Sequence, residues 1–311
     1  MAKMQVIAIS ESDDHHVHKV MNRMKERSVT GLFIQTDQIF KSKTTWLVSP
    51  RRATIHPVMW DPSTTVVWNR SRTLTPAYMT EPVNSFIQQE TDGYLSAVLN
   101  QYRTAKWVSK RDSLMFARSK IDQLVQAQKF GLTIPDTIVT TSEEDLKDFF
   151  EQHNGQIITK PIQTQVVWTS GDSLVFGTRW LTVNELGSTC SHSHTACLAQ
   201  AAVDIDAEVR VVTFGRECHA FKMTPSQKVE DLKQLELSDI HHEVFELGTI
   251  LKKQIGKLMD YYDLEFSACD FILKPDGELV FLELNPNGQW LWLEYKTGFD
   301  LTDRFIDFLN T

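Results

Sequence analysis

The stretch SACDFILKPDGELVFLELNPNG holds two carboxylates that a β-hairpin would bring face to face. Two apolar runs flank its centre, and the Asp276-Gly277 pair is a strong signal for a two-residue hairpin turn. With that turn, Asp270 lies directly opposite Glu283, and Ile272 lies opposite Phe281. Side chains paired across two strands are only about 5 Å apart at their Cβ atoms, where like charges repel. The pattern therefore needs a compensating positive charge.

A hard divalent cation is the simplest compensation for this pair. Asn285 lies two residues beyond Glu283 and shares its face while the strand remains extended. Mg²⁺ takes carboxylate and amide oxygens and keeps positions for phosphate oxygens. The sequence thus predicts Asp270, Glu283 and Asn285 as metal ligands. The alternative is an exposed hairpin face with solvated acids.

Phosphate binding would need cations from several parts of the chain. No GxxxxGK[ST] loop occurs, which excludes a Walker-type site, and no GxGxxG turn follows the first strand either. Lys160 ends an apolar strand, Lys120 lies on an amphipathic helix, and Arg210 and Lys222 lie in apolar segments. An arginine in an apolar strand must face a partner or a cleft, because a buried unpaired charge is costly. Taken singly, each is consistent with a surface cation or a structural ion pair; with the hairpin, they predict an ATP-phosphate site.

The segment STCSHSHTACL offers a competing metal site. It contains Cys190, His192, His194 and Cys197 within eight residues. Structural zinc sites usually take their ligand pairs from separate elements, whereas here one short loop would have to surround the ion. We interpret the segment as a polar loop before a strand, with a zinc module as the alternative.

Composition limits the class of protein. The chain has 311 residues, a net charge of −8, 41% hydrophobic residues and 23% charged residues. This balance is globular, and the acidic surface disfavours nucleic-acid binding. No run approaches the roughly 18 apolar residues of a membrane span, so a membrane role is not expected. Four cysteines and an N-terminus without signal-peptide features indicate reduced thiols and a cytoplasmic protein.

Hydrophobic spacing predicts an α/β protein that begins with a βαβ-like unit. The predicted β-structure lies at 4–9, 31–35, 44–60, 65–68, 156–159 and 209–214, with a hairpin over 164–183. The predicted helices cover 15–27, 112–130, a segment starting at Thr141 or Ser142, and 244–262. Three domains follow, at 1–108, 109–198 and 199–311.

The order of these residues resembles the ATP-grasp superfamily. Lys120, Lys160, Gln200-Ala201-Ala202-Val203, Glu208-x-Arg210 and Asp270…Glu283-x-Asn285 follow the family's order and approximate spacing. Within it, the ending FLELNPNGQWLWLEYKTG is similar to that of the graspetide (microviridin-type) peptide ligases. The resemblance spans most of the chain and implies an ATP-grasp fold. Its parts are an N-terminal pre-ATP-grasp α/β domain, a central domain and a C-terminal antiparallel-sheet domain.

The resemblance also implies cofactors and residue roles. ATP and Mg²⁺ are the implied cofactors, with Lys120 and Lys160 on the phosphates and Gln200, Ala202 and Glu208 around the nucleotide. Arg210, which would orient the acceptor carboxylate or stabilise an acyl phosphate, and Lys222 are the implied catalytic residues. The chain departs from the family pattern at Ala201 and Ile205, where an acidic residue and a lysine are often found, and at Asp231-Leu232-Lys233, where the family has Asp-Trp-Arg.

The implied reaction joins side chains of a precursor peptide. An Asp or Glu side chain becomes an acyl phosphate, and a Ser or Thr hydroxyl or a Lys amine then closes an ester or amide ring. The implied partner is the precursor, with its leader and core. The leader would dock on the hairpin over 164–183, where Trp168 and Trp180 are either apolar anchors or core residues.

Two other functions stay open from the sequence. One is an ATP-grasp ligase acting on a small acid, an amino acid or a peptide end, against which the GQW ending argues. The other is a nucleotide-binding protein without turnover, against which the complete acidic set argues. The sequence does not fix the oligomeric state, and a homodimer is one expectation.

Overall fold

The structure is a computed structural model that describes residues 5–38, 45–49, 52–56, 60–70, 82–163, 166–168, 173–186, 195–225 and 240–311. The chain forms two compact units. The first comprises Met1–Leu114, Asp263–Phe266 and Gln289–Thr311, and the second comprises Met115–Tyr262 and Ser267–Gly288. The predicted division into three domains stays a prediction.

Strands outnumber helices in the part of the chain that the structure describes. The strands are β1 (Gln5–Ser10), β2 (Thr30–Gln35), β3 (Thr45–Ser49), β4 (Arg52–His56), β5 (Thr65–Asn69), β6 (Lys106–Val108), β7 (Thr137–Thr140), β8 (Ile157–Lys160), β9 (Val166–Trp168), β10 (Ser173–Val175), β11 (Arg179–Trp180), β12 (Cys197–Ala201), β13 (Ala207–Phe214), β14 (Glu217–Pro225), β15 (Ile240–Phe245), β16 (Phe266–Leu273) and β17 (Leu279–Asn285). The helices are α1 (His15–Glu26), α2 (Pro82–Asn100), α3 (Arg111–Phe116), α4 (Lys120–Lys129), α5 (Glu143–Gln152), α6 (Thr249–Tyr261), α7 (Leu291–Thr297) and α8 (Leu301–Leu309).

The first unit is built on a four-stranded parallel sheet in the order β2-β1-β5-β6. Its inner strand β1 contains an unbroken apolar run over residues 6–9, as expected for a parallel strand covered on both faces. The core includes Ile7, Ile9 and Val67 of this sheet and Leu95 of α2. The predicted βαβ start is therefore confirmed.

A buried ion pair anchors the start of α1 in this unit. Asp14 caps the helix by accepting hydrogen bonds from the backbone N–H groups of His16 and Val17. Its carboxylate also accepts from Arg70 Nε at 3.0 Å and from Ser10 Oγ at 2.7 Å. Burial by itself raises the pKa of Asp14, but these hydrogen bonds and the Arg70 charge lower it well below its ordinary value.

The second unit carries two larger antiparallel sheets. One has the order β11-β8-β12-β7, and the other has the order β15-β14-β13-β16-β17. Leu146 of α5 packs with Ile157 and Ala199 in the core beside the first of these sheets. Together with the parallel sheet, this mixture confirms the predicted α/β class. Among the residues the structure describes, no helix is both long and apolar enough to cross a bilayer.

The predicted helix over 112–130 is wrong as a single element. The structure has α3 and α4 there, separated by three residues. Ser119 begins α4, because its side chain accepts a hydrogen bond from the Asp122 N–H at 3.4 Å. The break puts Lys120 at the first turn of α4.

The helix predicted over 244–262 begins five residues later in the structure, at Thr249. Val244 lies in β15, which pairs antiparallel with β14, and α6 starts only after Gly248. Sheet pairing thus overrides the helical spacing of the first apolar residues.

Candidate active site

One cavity of about 420 Å³ in the second unit collects most of the predicted site residues. This volume is typical of small-molecule sites. Eight of the ten predicted residues line it: Lys120, Lys160, Gln200, Ala202, Glu208, Arg210, Asp270 and Glu283. They come from α4, β8, β12 and its following residue, β13, β16 and β17, so the antiparallel sheets bring together residues far apart in sequence.

The β16–β17 hairpin places the two acids as predicted. Asp270 and Glu283 are directly paired across the strands. The predicted pairing of Ile272 with Phe281 is wrong, because Phe281 pairs with Phe271. Leu282 is one extra residue in β17, a β-bulge that shifts the register between the two pairings.

The turn of this hairpin is longer than predicted, and the bulge compensates for the extra residue. The Gly277 N–H donates to the Lys274 carbonyl at 2.9 Å. The Lys274 N–H donates to the Glu278 carbonyl, also at 2.9 Å. The loop therefore holds three residues rather than two, with Gly277 in the left-handed region at φ +88°. The longer loop shifts the register by one residue, and the bulge restores it at Asp270.

Arg210 forms a two-point ion pair with Asp270. Its Nε and Nη2 atoms donate to the two carboxylate oxygens at 2.7 and 2.8 Å. Both side chains are about one-fifth exposed, at 21% and 19%. Although burial acts to lower it, the Asp270 charge raises the pKa of Arg210 above its ordinary value, with Glu283 adding to the effect. The expectation that Arg210 faces a partner or a cleft is confirmed, since it does both.

Lys120 is the basic partner of Glu283, at a longer distance than that between Arg210 and Asp270. Its Nζ lies 3.7 Å from Glu283 Oε2 and donates to the Pro161 carbonyl at 3.4 Å. Each acid of the facing pair therefore has a basic partner within the chain. These partners compensate the like charges that the sequence had assigned to a metal.

The two acids also fit a magnesium ion that arrives with a nucleotide. Within the described residues, no group of three or more His, Cys, Asp or Glu side chains is placed to hold a metal by itself. Mg²⁺ is commonly bound through one or two carboxylates, with substrate phosphates and waters completing its shell. Asp270 and Glu283 on the cavity wall supply that kind of donor set.

Gln200 presents an unsatisfied acceptor in the buried part of the cavity. The side chain is 1% exposed, and its Nε2 donates to Thr137 Oγ1 at 2.9 Å. The Thr137 hydroxyl donates its own hydrogen to the Pro135 carbonyl at 2.8 Å, so it can only accept a hydrogen bond from Gln200. The amide orientation is thereby fixed. Oε1 is left without a hydrogen-bond partner among the described residues, although buried acceptors are normally paired.

Two predicted residues, Ala202 and Asn285, differ from expectation in detail. The Ala202 N–H already donates to the Gln156 carbonyl at 2.9 Å, so Ala202 offers a ligand its carbonyl rather than its amide. Asn285 ends β17 outside the cavity lining, and its Oδ1 accepts from the Asn287 N–H at 3.0 Å.

Lys222 is the predicted catalytic residue that does not line the cavity. It pairs with Val209 across β13–β14, so it lies on the sheet face opposite to Arg210. Its Nζ lies 3.7 Å from Glu243 of β15. The structure does not bring it to the other site residues.

Apolar walls complete the cavity and were not predicted. Ile158 lies two residues before Lys160, and Ile272 lies two residues after Asp270, so strand alternation alone would have identified both. Leu282 also lines the cavity, but only the bulge turns it there. Trp180 of β11 lines the same cavity, whereas the sequence suggested a peptide anchor or a core residue.

Parts of two sequence predictions lie outside the described residues. The strands β9 and β10 do pair antiparallel, which confirms a hairpin there, but its turn at 169–172 and the side chain of Trp168 are not described. Cys190, His192 and His194 are also outside, whereas Cys197 is buried in β12.

Comparisons with known proteins show the fold. No family model matches the chain, and no curated protein matches it. The macrocyclase MdnC of Microcystis aeruginosa MRC, solved with the precursor peptide MdnA, is 20% identical with a TM-score of 0.83, over 98% of this chain and 99% of that one. The RiPP-associated ATP-grasp ligase of Chryseobacterium gregarium, solved with ADP and a leader and core peptide, is 20% identical with a TM-score of 0.81, over 99% and 96%.

A third structure adds a metal. The ATP-grasp ligase PsnB, solved with a phosphomimetic variant of its minimal precursor, Mg and ADP, is 19% identical with a TM-score of 0.76, over 99% and 98%. These similarities extend over nearly the full length of each chain. The chain therefore has the ATP-grasp fold, as the sequence predicts.

Proposed function

We propose that this protein is an ATP-dependent ligase that forms side-chain ester or amide rings in a ribosomally made precursor peptide. The observation that carries the proposal is the cavity, where eight residues predicted from the sequence meet. Support also comes from the fold, which is shared with a macrocyclase and with ligases solved with precursor peptides. We further propose a cytoplasmic location, where ATP is available and free thiols such as Cys197, Cys218 and Cys269 stay reduced.

The nucleotide base fits the buried end of the cavity. Gln200 Oε1 is an acceptor in need of a donor, and the exocyclic amino group of adenine is such a donor. Ile158 and Ile272 supply apolar walls for the flat ring. Glu208 would accept hydrogen bonds from the ribose, because the ribose hydroxyls are the remaining donors of ATP.

The phosphates belong at the charged end. Lys120 and Lys160 would neutralise their oxygens, and Asp270 and Glu283, with Asn285 as a third oxygen donor, would hold Mg²⁺. When bound, the ion reduces the repulsion between the triphosphate and an attacking carboxylate. We do not include Lys222, because it lies on the other face of the sheet.

The chemistry then needs no covalent enzyme group. A substrate carboxylate oxygen attacks the γ-phosphorus, the bond to the ADP oxygen breaks, and an acyl phosphate forms. A Ser or Thr hydroxyl, or a Lys amine, attacks the acyl carbon, loses its proton and expels phosphate. Arg210 would orient the acceptor carboxylate from its place beside Asp270. Catalysis rests on positioning and charge stabilisation.

The test uses a precursor encoded beside the gene, a short peptide rich in Thr, Ser or Lys and in Asp or Glu. It is incubated with the protein, ATP and Mg²⁺, and peptide and nucleotides are measured by mass spectrometry and chromatography. We expect one water lost and one ADP formed per ring, with dependence on the leader. Formation of AMP and pyrophosphate would contradict the acyl-phosphate route. Ligation of a free amino acid or small acid instead would favour the alternative ligase.

A further inference from the structure

Gln123 joins the helix that carries Lys120 to the strand that carries Glu283. It lies on α4 three residues after Lys120 and is 2% exposed. Its Nε2 donates to the Leu284 carbonyl at 2.7 Å and to the Ala117 carbonyl at 2.6 Å. Its Oε1 accepts from the Leu284 N–H at 2.8 Å. The amide therefore pairs with both backbone groups of the residue next to Glu283.

This contact replaces a missing strand neighbour. β17 is the last strand of its sheet in the described part of the chain, so one side of its backbone pairs with no described strand. Gln123 satisfies that side at Leu284, and the Thr133 carbonyl satisfies it at Phe281, which donates its N–H at 2.8 Å. The bulge at Leu282 and the carboxylate of Glu283 lie between these two fixed points.

The side chain required for this contact is narrowly defined. Leu284 offers one donor and one acceptor, and only a group with a matching acceptor and donor can pair with both. A methionine of similar size offers neither. An ionised glutamate offers acceptors alone and would face the Leu284 carbonyl with its own charge.

We propose that Gln123 is a positioning residue that holds Glu283 opposite Asp270 and beside Lys120 for metal-nucleotide binding. The inference rests on the proposed function, because it concerns the same site. It adds a residue that touches neither the metal nor the nucleotide and acts through the backbone of Leu284. Residues that orient metal ligands typically contribute about 10- to 100-fold to metal affinity, which sets the scale of the expected effect.

The experiment compares Gln123→Met with Gln126→Met in the full-length protein. Gln126 is also buried in α4, but its amide donates to Asp122 at 3.2 Å and not to β17. Mg²⁺ affinity is measured calorimetrically with saturating ADP, and Tm is measured alongside. We expect Gln123→Met to weaken Mg²⁺ binding about tenfold or more. Gln126→Met should bind Mg²⁺ like the wild type even if its Tm falls.

Each other outcome is informative. Equal Mg²⁺ affinity in both variants, whatever their Tm values, would make Gln123 a purely structural residue and overturn the inference. Failure of the wild type to bind ADP and Mg²⁺ would overturn the proposed function itself, and the inference with it. If Gln123→Met does not fold, Gln123→Glu replaces it, because a neutral carboxyl group can make both hydrogen bonds with Leu284. Its Mg²⁺ affinity relative to the wild type should then fall as the pH rises; a constant ratio would overturn the inference.

Discussion

The guanidinium of Arg210 holds the carboxylate of Asp270 through two hydrogen bonds, at 2.7 and 2.8 Å. The sequence assigned these two residues to different tasks, one to the substrate carboxylate and the other to the metal. Because the two side chains are hydrogen-bonded, a substitution of one alters the position and the electrostatic environment of the other. The first two predictions separate their contributions.

Arg210→Lys keeps the charge but loses the planar fork that matches a carboxylate. We expect ring formation to fall at least about tenfold and the Mg²⁺ requirement to rise, since Asp270 is then held less firmly. ADP affinity without Mg²⁺ should change little. Calorimetry and mass spectrometry on the same variant test this. A loss of ADP binding in proportion to ring formation would place Arg210 in the phosphate site, and unchanged ring formation would make it a structural ion-pair residue.

Asp270→Asn and Glu283→Gln should both abolish Mg²⁺-dependent ring formation, yet they should differ in stability. Asp270→Asn removes one charge from a tight, mostly buried ion pair. We therefore expect the free energy of unfolding to decrease by about 1–3 kcal/mol. Glu283 contacts Lys120 only at 3.7 Å, so its loss should be under about 1 kcal/mol. Urea unfolding measures the difference, and wild-type turnover in either folded variant would refute the metal assignment.

Gln200→Met removes the unsatisfied Oε1 acceptor while keeping the side-chain length. We expect ADP affinity to fall about tenfold, on the scale of one buried hydrogen bond. IDP lacks the exocyclic amino group, so the wild type should prefer ADP, and the variant should lose that preference. Calorimetry with both nucleotides is the measurement. If the ratio of ADP affinity to IDP affinity is the same in the variant and the wild type, the base does not contact Gln200.

Gly288→Ala should disturb the turn that follows β17. A Cβ at Gly288 would overlap the Cβ of Ala268, the residue paired with Asn285. Because this is far inside normal contact, we expect a loss of about 1–3 kcal/mol in stability and reduced turnover. Adding Ala268→Gly removes the opposing methyl group and should restore part of both. A double variant no better than the single one would locate the problem in the backbone instead.

The buried pair of Asp14 and Arg70 predicts acid sensitivity in the first unit. The pKa of Asp14 is lower in the folded state than in the unfolded chain, so its contribution to stability is present above about pH 4 and is lost as the pH falls further. Asp14→Asn should be less stable at neutral pH and lose less stability between about pH 5 and pH 3. Urea unfolding across that range checks it, and equal pH slopes would count against this role.

The sequence predicted the acid pair correctly although two details of the hairpin were wrong. A loop longer by one residue and a bulge at Leu282 cancel, so the pairing at Asp270 survives while that at Ile272 does not. Bulges depend on local twist and on what holds the strand, here Gln123 and Thr133, and neither contact has a signature in strand alternation. The facing pair could be predicted because charge and spacing already define it.

Two other differences come from competition between local and long-range order. Val244 fits a helical pattern, but pairing of β15 with β14 recruits it into the sheet. Lys222 resembles Arg210 in its apolar surroundings, yet a shift of one position across β13–β14 places it on the opposite face. Sequence spacing within one strand cannot reveal which face its neighbour will present.

The closing segment of the chain has a consequence for synthesis. Phe305 of α8 is fully buried and packs on Trp68 of β5, with ring centroids 4.7 Å apart. The first sheet is translated early, whereas the aromatic ring that covers it is translated more than two hundred residues later. The N-terminal sheet must therefore wait with Trp68 uncovered until Phe305 leaves the ribosome. Nascent chains should accordingly expose an apolar surface that chaperones can bind.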